Sequence, residues 1–165
     1  MEEQKEIKYG KLILVPAVIT LAMTLLRLCA ELMSLPGWLA NKHAGGADAI
    51  LGIVWLPPIF GVYFALKLAG APGKRALHLF KTLLLYGLAA RIPVIIVMGL
   101  AIHGNWGTHY DAFVGGLATA SSAAKFWEGG VLIQILWWAL IWTVGTGMAT
   151  GGIIFLFKRE VKSDK

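Results

Sequence analysis

The sequence predicts an all-α integral membrane protein with four transmembrane helices and one further helix lying on the outer membrane surface. Of its 165 residues, 58% are hydrophobic and 15% are charged, whereas a soluble domain carries about 25% charged residues. The apolar residues form long continuous runs that do not alternate with polar ones, which excludes a transmembrane β-barrel. The formal net charge is +6, but the basic residues lie between the apolar runs. We therefore expect no nucleic-acid partner.

Four apolar runs each reach the ~20 residues needed to cross the hydrocarbon core of a bilayer. They cover approximately residues 12–35, 47–68, 77–102 and 131–157. The flank before the first run mixes Glu with Lys, and the run is longer than the apolar region of a signal peptide. We expect this first helix to remain in the mature protein. We also expect the whole chain, residues 1–165, to form a single membrane domain.

The loop between the third and fourth runs is too long for a simple connection. Its apolar residues recur at steps of three and four over about residues 110–127, which is the spacing of one helical face. The negative charge of Asp111 near the start and the positive charge of Lys125 near the end would both interact favourably with the helix dipole. Gly115 and Gly116 disfavour the helix by about 1 kcal/mol each relative to Ala. The pattern predicts an interfacial helix over this stretch.

Basic residues are concentrated at both chain ends and in the loop between the second and third runs. Those regions hold 11 Lys and Arg residues, whereas the other two loops hold only Lys42 and Lys125. Because cytoplasmic loops carry the excess of Lys and Arg, this asymmetry predicts an inner-membrane protein with both termini in the cytoplasm. Its positive charge would face anionic membrane lipids.

Three ionisable side chains lie within the predicted spans, namely Arg27, Glu31 and Arg91. Each costs about 2.5 to 3.5 kcal/mol to insert, so each requires a partner or a function. Arg27 and Glu31 are four residues apart on the first helix and can pair. They belong to a polar stripe that we expect to face protein or water. It comprises Thr20, Thr24, Arg27, Glu31 and Ser34.

A rise of ~1.5 Å per residue places Arg27 about 10 Å and Arg91 about 16 Å below the outer helix ends, at the depth of Trp138 and Trp142. An indole face is a favourable seat for a guanidinium group. Two arginines against one glutamate leave a formal charge of +1, which favours an anionic ligand or lipid head group. The predicted ligand-binding residues are Arg27, Glu31, Arg91, Gln134, Trp138 and Trp142. The alternative is a satisfied ion-pair network that only fixes helix packing.

Small residues and prolines add two weaker signals. Gly147 and Gly151 form a GxxxG motif, which predicts close approach of another helix, either within the bundle or from another protomer or subunit. Pro57 and Pro58 fall in the middle of the second predicted span, where their missing N–H groups would free backbone carbonyls for other donors.

Three functions fit these observations. The first is a small bundle that binds or transports an anionic ligand or lipid head group, with membrane lipids and copies of itself as partners. The second is a non-catalytic accessory subunit of a larger membrane complex. The third is a metal-dependent membrane enzyme, in which His103, His109 and Asp111 would bind a divalent metal. No other cofactor is expected, because the sequence lacks paired mid-helix histidines and cofactor motifs.

Overall fold

Four helices and their connections make up the part of the chain that the computed structural model describes, which is residues 7–40, 53–71 and 74–163. These ranges contain no β-strand. Helix α1 is Tyr9–Leu32, α2 is Leu56–Leu68, and α3 is Arg75–Gly104. Helix α4 consists of Ser122–Ala124, Lys125–Val144 and Gly145–Ser163 in unbroken succession.

Three helices are long and apolar enough to cross a membrane. They are α1 with 24 residues, α3 with 30 residues, and the 36 residues Ser122–Phe157 of α4. Helix α2 has only 13 residues and follows a single 3-10 turn, Ile53–Trp55. The first part of the second predicted span, residues 47–52, lies outside the described residues. The all-helical class is therefore confirmed, whereas the count of four spans stays a prediction.

The two ends of the bundle are distinct. At one end, the Tyr9 hydroxyl lies 2.6 Å from Nδ1 of His78, and the guanidinium of Arg75 lies 5.9 Å from the ring centre of Phe155. The beginning of α1 and the last apolar turn of α4 thus lie beside the beginning of α3, and we call this the terminal end. The opposite end carries the connection between α3 and α4, residues 105–121, and we call it the loop end.

The GxxxG motif of α4 docks within the bundle. A Cβ atom added to Gly61 of α2 would lie 2.5 Å from the backbone oxygen of Gly147 and 2.5 Å from Oγ1 of Thr150. A Cβ atom on Gly151 would lie 2.8 Å from the backbone oxygen of Gly61. The two backbones are in direct contact at this point, because the three glycines Gly61, Gly147 and Gly151 have no side chain. Of the two predicted docking partners, the helix of the same chain is the one observed.

The two adjacent prolines begin a helix and do not interrupt one. Pro57 and Pro58 lie in the first turn of α2, where a backbone N–H has no helical acceptor, so their rings cost little. Their predicted place in the middle of the span stays a prediction, because residues 47–52 lie outside the described residues. The backbone oxygen of Val54 accepts a hydrogen bond from Nε1 of Trp142 at 3.1 Å, which ties the start of α2 to α4.

The predicted interfacial helix over 110–127 is not formed. Residues 105–121 are turns with a single 3-10 turn, Gly115–Leu117, and the helix that begins at Ser122 is the start of α4. Gly115 has a positive φ of 62°, which an α-helix does not accept. The Ser121 side chain then accepts a hydrogen bond from the backbone of Ala124 at 3.3 Å and caps α4. Local turn and cap chemistry therefore overrides the apolar periodicity.

Helix α4 is wide over nearly half of its length. Over Lys125–Val144 its backbone hydrogen bonds follow the i to i+5 pattern of a π-helix. The Thr143 hydroxyl follows the same spacing and donates to the backbone oxygen of Trp138 at 2.7 Å. Because each turn holds more residues than an α-helical turn, side chains four and five positions apart share a face. Gln134, Trp138 and Trp142 belong to this segment.

Candidate functional site

The polar stripe of α1 faces the interior of the bundle, as predicted. Thr20 and Thr24 are each 1% exposed, and their hydroxyls donate to the backbone oxygens four residues earlier, both at 2.9 Å. Arg27 and Glu31 are also buried. Only Ser34 departs from the prediction, because α1 ends before it and its side chain is exposed.

The Glu31 carboxylate joins α1 to the loop end. The Nε atom of Arg27 donates to Oε1 at 2.8 Å, which confirms the predicted pair. The backbone N–H of His109 donates to Oε2 at 2.8 Å. The Nδ1 atom of His109 lies 2.5 Å from Oε1, at an angle that does not make a hydrogen bond. A fully buried carboxylate is thus surrounded by a cation, a backbone donor and an imidazole.

Backbone geometry at the end of α1 fixes the position of Glu31. Ser34 adopts a left-handed conformation with φ of 55°. The N–H of Leu35 returns to the oxygen of Ala30 at 2.9 Å, and the N–H of Ser34 returns to the oxygen of Glu31 at 3.1 Å. This pair of bonds is a Schellman ending. The backbone oxygens of Ala30 and Glu31 are therefore hydrogen-bonded within this turn. The Glu31 side chain remains available for partners from other elements.

Arg91 of α3 lies apart from that network and has different partners. It is 3% exposed. Its Nη1 donates to Oε1 of Gln134 at 3.3 Å, and its guanidinium carbon lies 5.2 Å from the ring centre of Trp138. Its Nε atom has no hydrogen-bond partner. Among the described residues, no carboxylate lies within 4.0 Å of Arg91. The carboxylate of Glu31 lies against Arg27 and His109 instead.

The structure therefore brings together Arg91, Gln134 and Trp138, as the spacing on the fourth helix predicted. The Nε2 atom of Gln134 donates to the sulfur of Met98 at 3.5 Å, and this contact orients the amide. Trp142 packs edge to face on Trp138, with ring centres 6.3 Å apart and an interplanar angle of 73°. Trp142 thus supports the ring that contacts the guanidinium, while its own N–H is bonded to α2.

Two tyrosines of this region were not predicted as site residues. Tyr110 is 3% exposed, and its hydroxyl donates to the backbone oxygen of Thr24 at 3.2 Å. Its hydroxyl is close enough to Arg27, Glu31 and Arg91 to interact with their charges. Burial raises the pKa of its hydroxyl, which stays protonated. The sequence signal for Tyr110 was only its place in the apolar periodicity of the loop.

The second tyrosine is on α3, one and a half turns before Arg91. The Tyr86 hydroxyl lies 2.7 Å from Oγ1 of Thr20, and it interacts electrostatically with Arg91. The fact that Thr20 lies on a polar stripe indicated that a polar partner should exist. Nothing in the sequence identified which residue of another helix supplies it.

The residues predicted to bind a divalent metal are not gathered. His103 is exposed at the end of α3, and His109 contacts Glu31. Asp111 accepts bonds from the backbone N–H groups of Gly107 at 2.8 Å and Thr108 at 2.7 Å. Over residues 7–40, 53–71 and 74–163, no group of three or more His, Cys, Asp or Glu side chains is placed to hold a metal ion. Asp111 instead shapes the loop.

Comparisons with known proteins add no relative. No family model matches the chain, and neither the curated proteins nor the solved structures contain a match. Functional inference therefore rests on the geometry of the Arg91 cluster, which we define as Arg91, Gln134 and Trp138.

Proposed function

We propose that the protein binds an anionic group at the Arg91 cluster, within the inner membrane and with both chain termini in the cytoplasm. One observation carries the proposal. Arg91 is a buried guanidinium with an Nε that has no hydrogen-bond partner and with no carboxylate of the described residues in contact. Arg27, by contrast, is neutralised by Glu31. The formal excess of +1 in the predicted site therefore resides on Arg91.

Arg91 has only two described contacts to set against the cost of its burial. A cation–π contact contributes up to about 2 kcal/mol when desolvated, and one hydrogen bond to a charged group contributes about 1.5 to 3 kcal/mol. Desolvation of an ion costs several kcal/mol. A bound anion would add a charge-paired interaction, and its oxygen atoms would accept hydrogen bonds from the planar N–H fork of the guanidinium.

The chemical class follows from this donor set. A guanidinium binds carboxylate or phosphate oxygens in a bidentate manner. Gln134 and Trp138 would fix the orientation of the guanidinium, and Trp142 would hold Trp138. Arg27 and Glu31 would not contact the anion through this pair, because their charged groups are bonded to each other. A phosphate group can belong to a lipid head group or to a soluble anion, and the two sources share the recognition chemistry.

The accessory-subunit interpretation has lost one of its supports. The GxxxG motif was a candidate docking surface for another subunit, but Gly147 and Gly151 pack on Gly61 of the same chain. No described contact replaces that support. We therefore retain ligand binding as the proposed function.

Tryptophan fluorescence tests the proposal, because the Trp138 ring lies against the guanidinium. The purified protein in phosphatidylcholine nanodiscs would be titrated with inorganic phosphate, and its spectrum would separately be compared in nanodiscs of increasing phosphatidylglycerol content. A saturable response in the first arm identifies a soluble anion, and one in the second identifies a lipid head group. Saturation in neither arm would contradict the proposal.

Two variants make the assignment specific. Arg91→Gln should weaken binding by about tenfold to a hundredfold, which is the loss of one to two charged hydrogen bonds. Arg75→Gln is the matched control, because Arg75 lies at the terminal end beside Phe155 and should leave the isotherm unchanged. The same isotherm for Arg91→Gln as for the unmodified protein would remove Arg91 from the site.

A further inference from the structure

The buried charges around Arg91 add up to a single positive charge among the described residues. The Nε atom of Arg27 is bonded to Oε1 of Glu31 at 2.8 Å, so the charges of these two residues cancel. Arg91 itself is 3% exposed, and no described carboxylate is paired with it. The excess charge of this part of the bundle therefore belongs to the Arg91 guanidinium.

The neighbours of Arg91 are polar without being charged. The side-chain oxygen of Gln134 accepts a hydrogen bond from Nη1 of Arg91 at 3.3 Å, and Trp138 presents the face of its ring. The hydroxyls of Tyr86 and Tyr110 are close enough to interact with the guanidinium charge, and a tyrosine hydroxyl is protonated at neutral pH. A ligand at Arg91 therefore meets one cation and no second charge from these groups.

Close helix contacts bound the Arg91 cluster along the seam between α3 and α4. A Cβ atom added to Gly87 would lie 3.1 Å from the backbone oxygen of Ala139. A Cβ atom added to Gly99 would lie 3.0 Å from the ring of Phe126. These two contacts lie about one turn before and about two turns after Arg91 on α3. Because such close packing excludes bulk water, an anion at Arg91 has to lose most of its hydration shell.

The cost of losing that shell rises steeply with the charge of the anion. In the Born relation, solvation free energy grows with the square of the charge, so a doubly charged anion loses about four times as much as a singly charged anion of the same size. Its attraction to one guanidinium only about doubles, because the Coulomb energy is linear in the charge of the ligand. A dianion would also leave a net negative charge in the bundle. One buried cation therefore favours an anion with one charge.

We infer that the Arg91 cluster selects singly charged oxyanions over doubly charged ones, and that the uncharged amide of Gln134 preserves this selectivity. The favoured class contains carboxylates and phosphodiesters, and it contains a phosphomonoester only when that group keeps one proton. The inference rests on the proposed function, because it specifies which anions the site binds.

Two methyl esters of phosphate test the selectivity of the unmodified protein, because they are similar in size. Dimethyl phosphate is singly charged, whereas monomethyl phosphate has a second pKa of about 6 and is doubly charged at pH ~8. The protein in phosphatidylcholine nanodiscs would be titrated with each ester and followed by tryptophan fluorescence. At pH ~8 the diester should bind about tenfold tighter or more.

The same two esters at a lower pH provide an internal control. At pH ~5 the monoester is singly charged, and the two affinities should agree within about threefold. The diester keeps its single charge at both pH values. Both ligands meet the same protein at each pH, so titration of His109 beside Glu31 affects them alike. The change in the ratio of the two affinities therefore reports the charge of the ligand.

A lipid version of the comparison covers a head group that enters from the bilayer. Nanodiscs that contain phosphatidylglycerol, a diester, would be compared at pH ~8 with nanodiscs that contain phosphatidic acid, a monoester. Preference for the diester should appear in whichever arm saturates, and that arm identifies the source of the anion. Equal or tighter binding of the monoester would overturn the inference and leave the proposed function intact. Saturation by none of the four would overturn both.

Gln134→Glu tests the role of the amide, because it places a carboxylate of the same shape against Arg91. That carboxylate would pair with the guanidinium and cancel the excess charge. Binding of the diester should therefore fall by about tenfold to a hundredfold. Circular dichroism shows whether the variant is folded. Unchanged binding of the diester by folded Gln134→Glu would overturn the role of Gln134.

Gln134→Met is the matched variant, because it removes the amide without adding a charge. Its affinity for both esters is expected to fall with the loss of the hydrogen bond that orients Arg91. The ratio of the two affinities at pH ~8 should stay in favour of the diester by about tenfold. Loss of that preference in Gln134→Met would show that the amide, and not the single charge of Arg91, selects the ligand.

Discussion

Glu31 is the residue on which the loop end depends most. It is fully buried, and its two oxygens contact the Arg27 guanidinium, the His109 backbone and the His109 ring. Breaking a buried ion pair leaves an uncompensated charge, which is more costly than deleting the pair. Loss of Glu31 also removes an acceptor from the loop, because its carboxylate accepts a hydrogen bond from the backbone N–H of His109.

Glu31→Gln should destabilise the bundle by about 3 to 5 kcal/mol. Arg27→Gln should cost less, because the carboxylate keeps its hydrogen bond from the backbone N–H of His109. Unfolding of each variant in mixed detergent micelles, followed by circular dichroism, measures the difference. Equal costs for the two variants would show that the His109 contacts contribute nothing.

Trp142 provides a second test at a single side chain. Its Nε1 is the donor that satisfies the Val54 oxygen ahead of the two prolines of α2. Trp142→Phe keeps the ring against Trp138 but leaves that oxygen without its donor, at a cost of about 1 to 3 kcal/mol. The exposed Trp137, which is 49% accessible, is the control, and Trp137→Phe should be neutral in the same unfolding assay.

At the level of elements, the contact between α2 and α4 depends on the absence of side chains. Gly61→Ala would place a Cβ atom against the backbone oxygen of Gly147. A backbone oxygen within a helix cannot move aside without separating the helices. Overpacking of this kind typically costs about 1 to 3 kcal/mol. Gly152, whose added Cβ would meet nothing within 4 Å, shows no such constraint on the same helix.

Gly61→Ala should therefore lower stability, whereas Gly152→Ala should raise it by up to about 1 kcal/mol, because Ala is the better helix former. Thermal unfolding of both variants in one detergent gives the comparison. If Gly61→Ala is as stable as the unmodified protein, the two helices are not in direct backbone contact.

The elements also show how far sequence reasoning extends. Hydropathy predicted α1, α3 and α4, because membrane helices are defined by composition that is visible along one chain. It missed the irregular form of residues 105–121, where the conformation of Gly115 and the bonds of Asp111 determine the path. Helical periodicity predicted Gln134 and Trp138 as partners of Arg91. Tyr110 and the ring of His109 depend on how a loop folds back on the bundle, which periodicity does not describe.

At the level of the whole molecule, the described chain ends lie at one end of the bundle, as the contact between Tyr9 and His78 and the contact between Arg75 and Phe155 show. The excess of Lys and Arg at this terminal end predicts that it faces the cytoplasm. The loop end would then face outward. The direction from which an anion reaches Arg91 follows from this orientation.

Labelling of intact cells with a membrane-impermeant maleimide tests the orientation. In a Cys29→Ser background, Thr119→Cys should react in intact cells, because Thr119 is exposed at the loop end. Lys8→Cys, exposed at the terminal end, should react only after lysis. The reverse pattern would invert the topology and place the loop end in the cytoplasm.

Native mass spectrometry of the protein released from its own membrane in mild detergent shows whether an anion occupies the Arg91 cluster, because bound lipid, bound anion and copy number are read from one spectrum. We expect a phosphate- or carboxylate-bearing adduct that persists on the unmodified protein and on Arg75→Gln, and that is lost from Arg91→Gln. An adduct of equal occupancy on Arg91→Gln, or the absence of any anionic adduct from the unmodified protein, would contradict the assignment of Arg91 as an anion site.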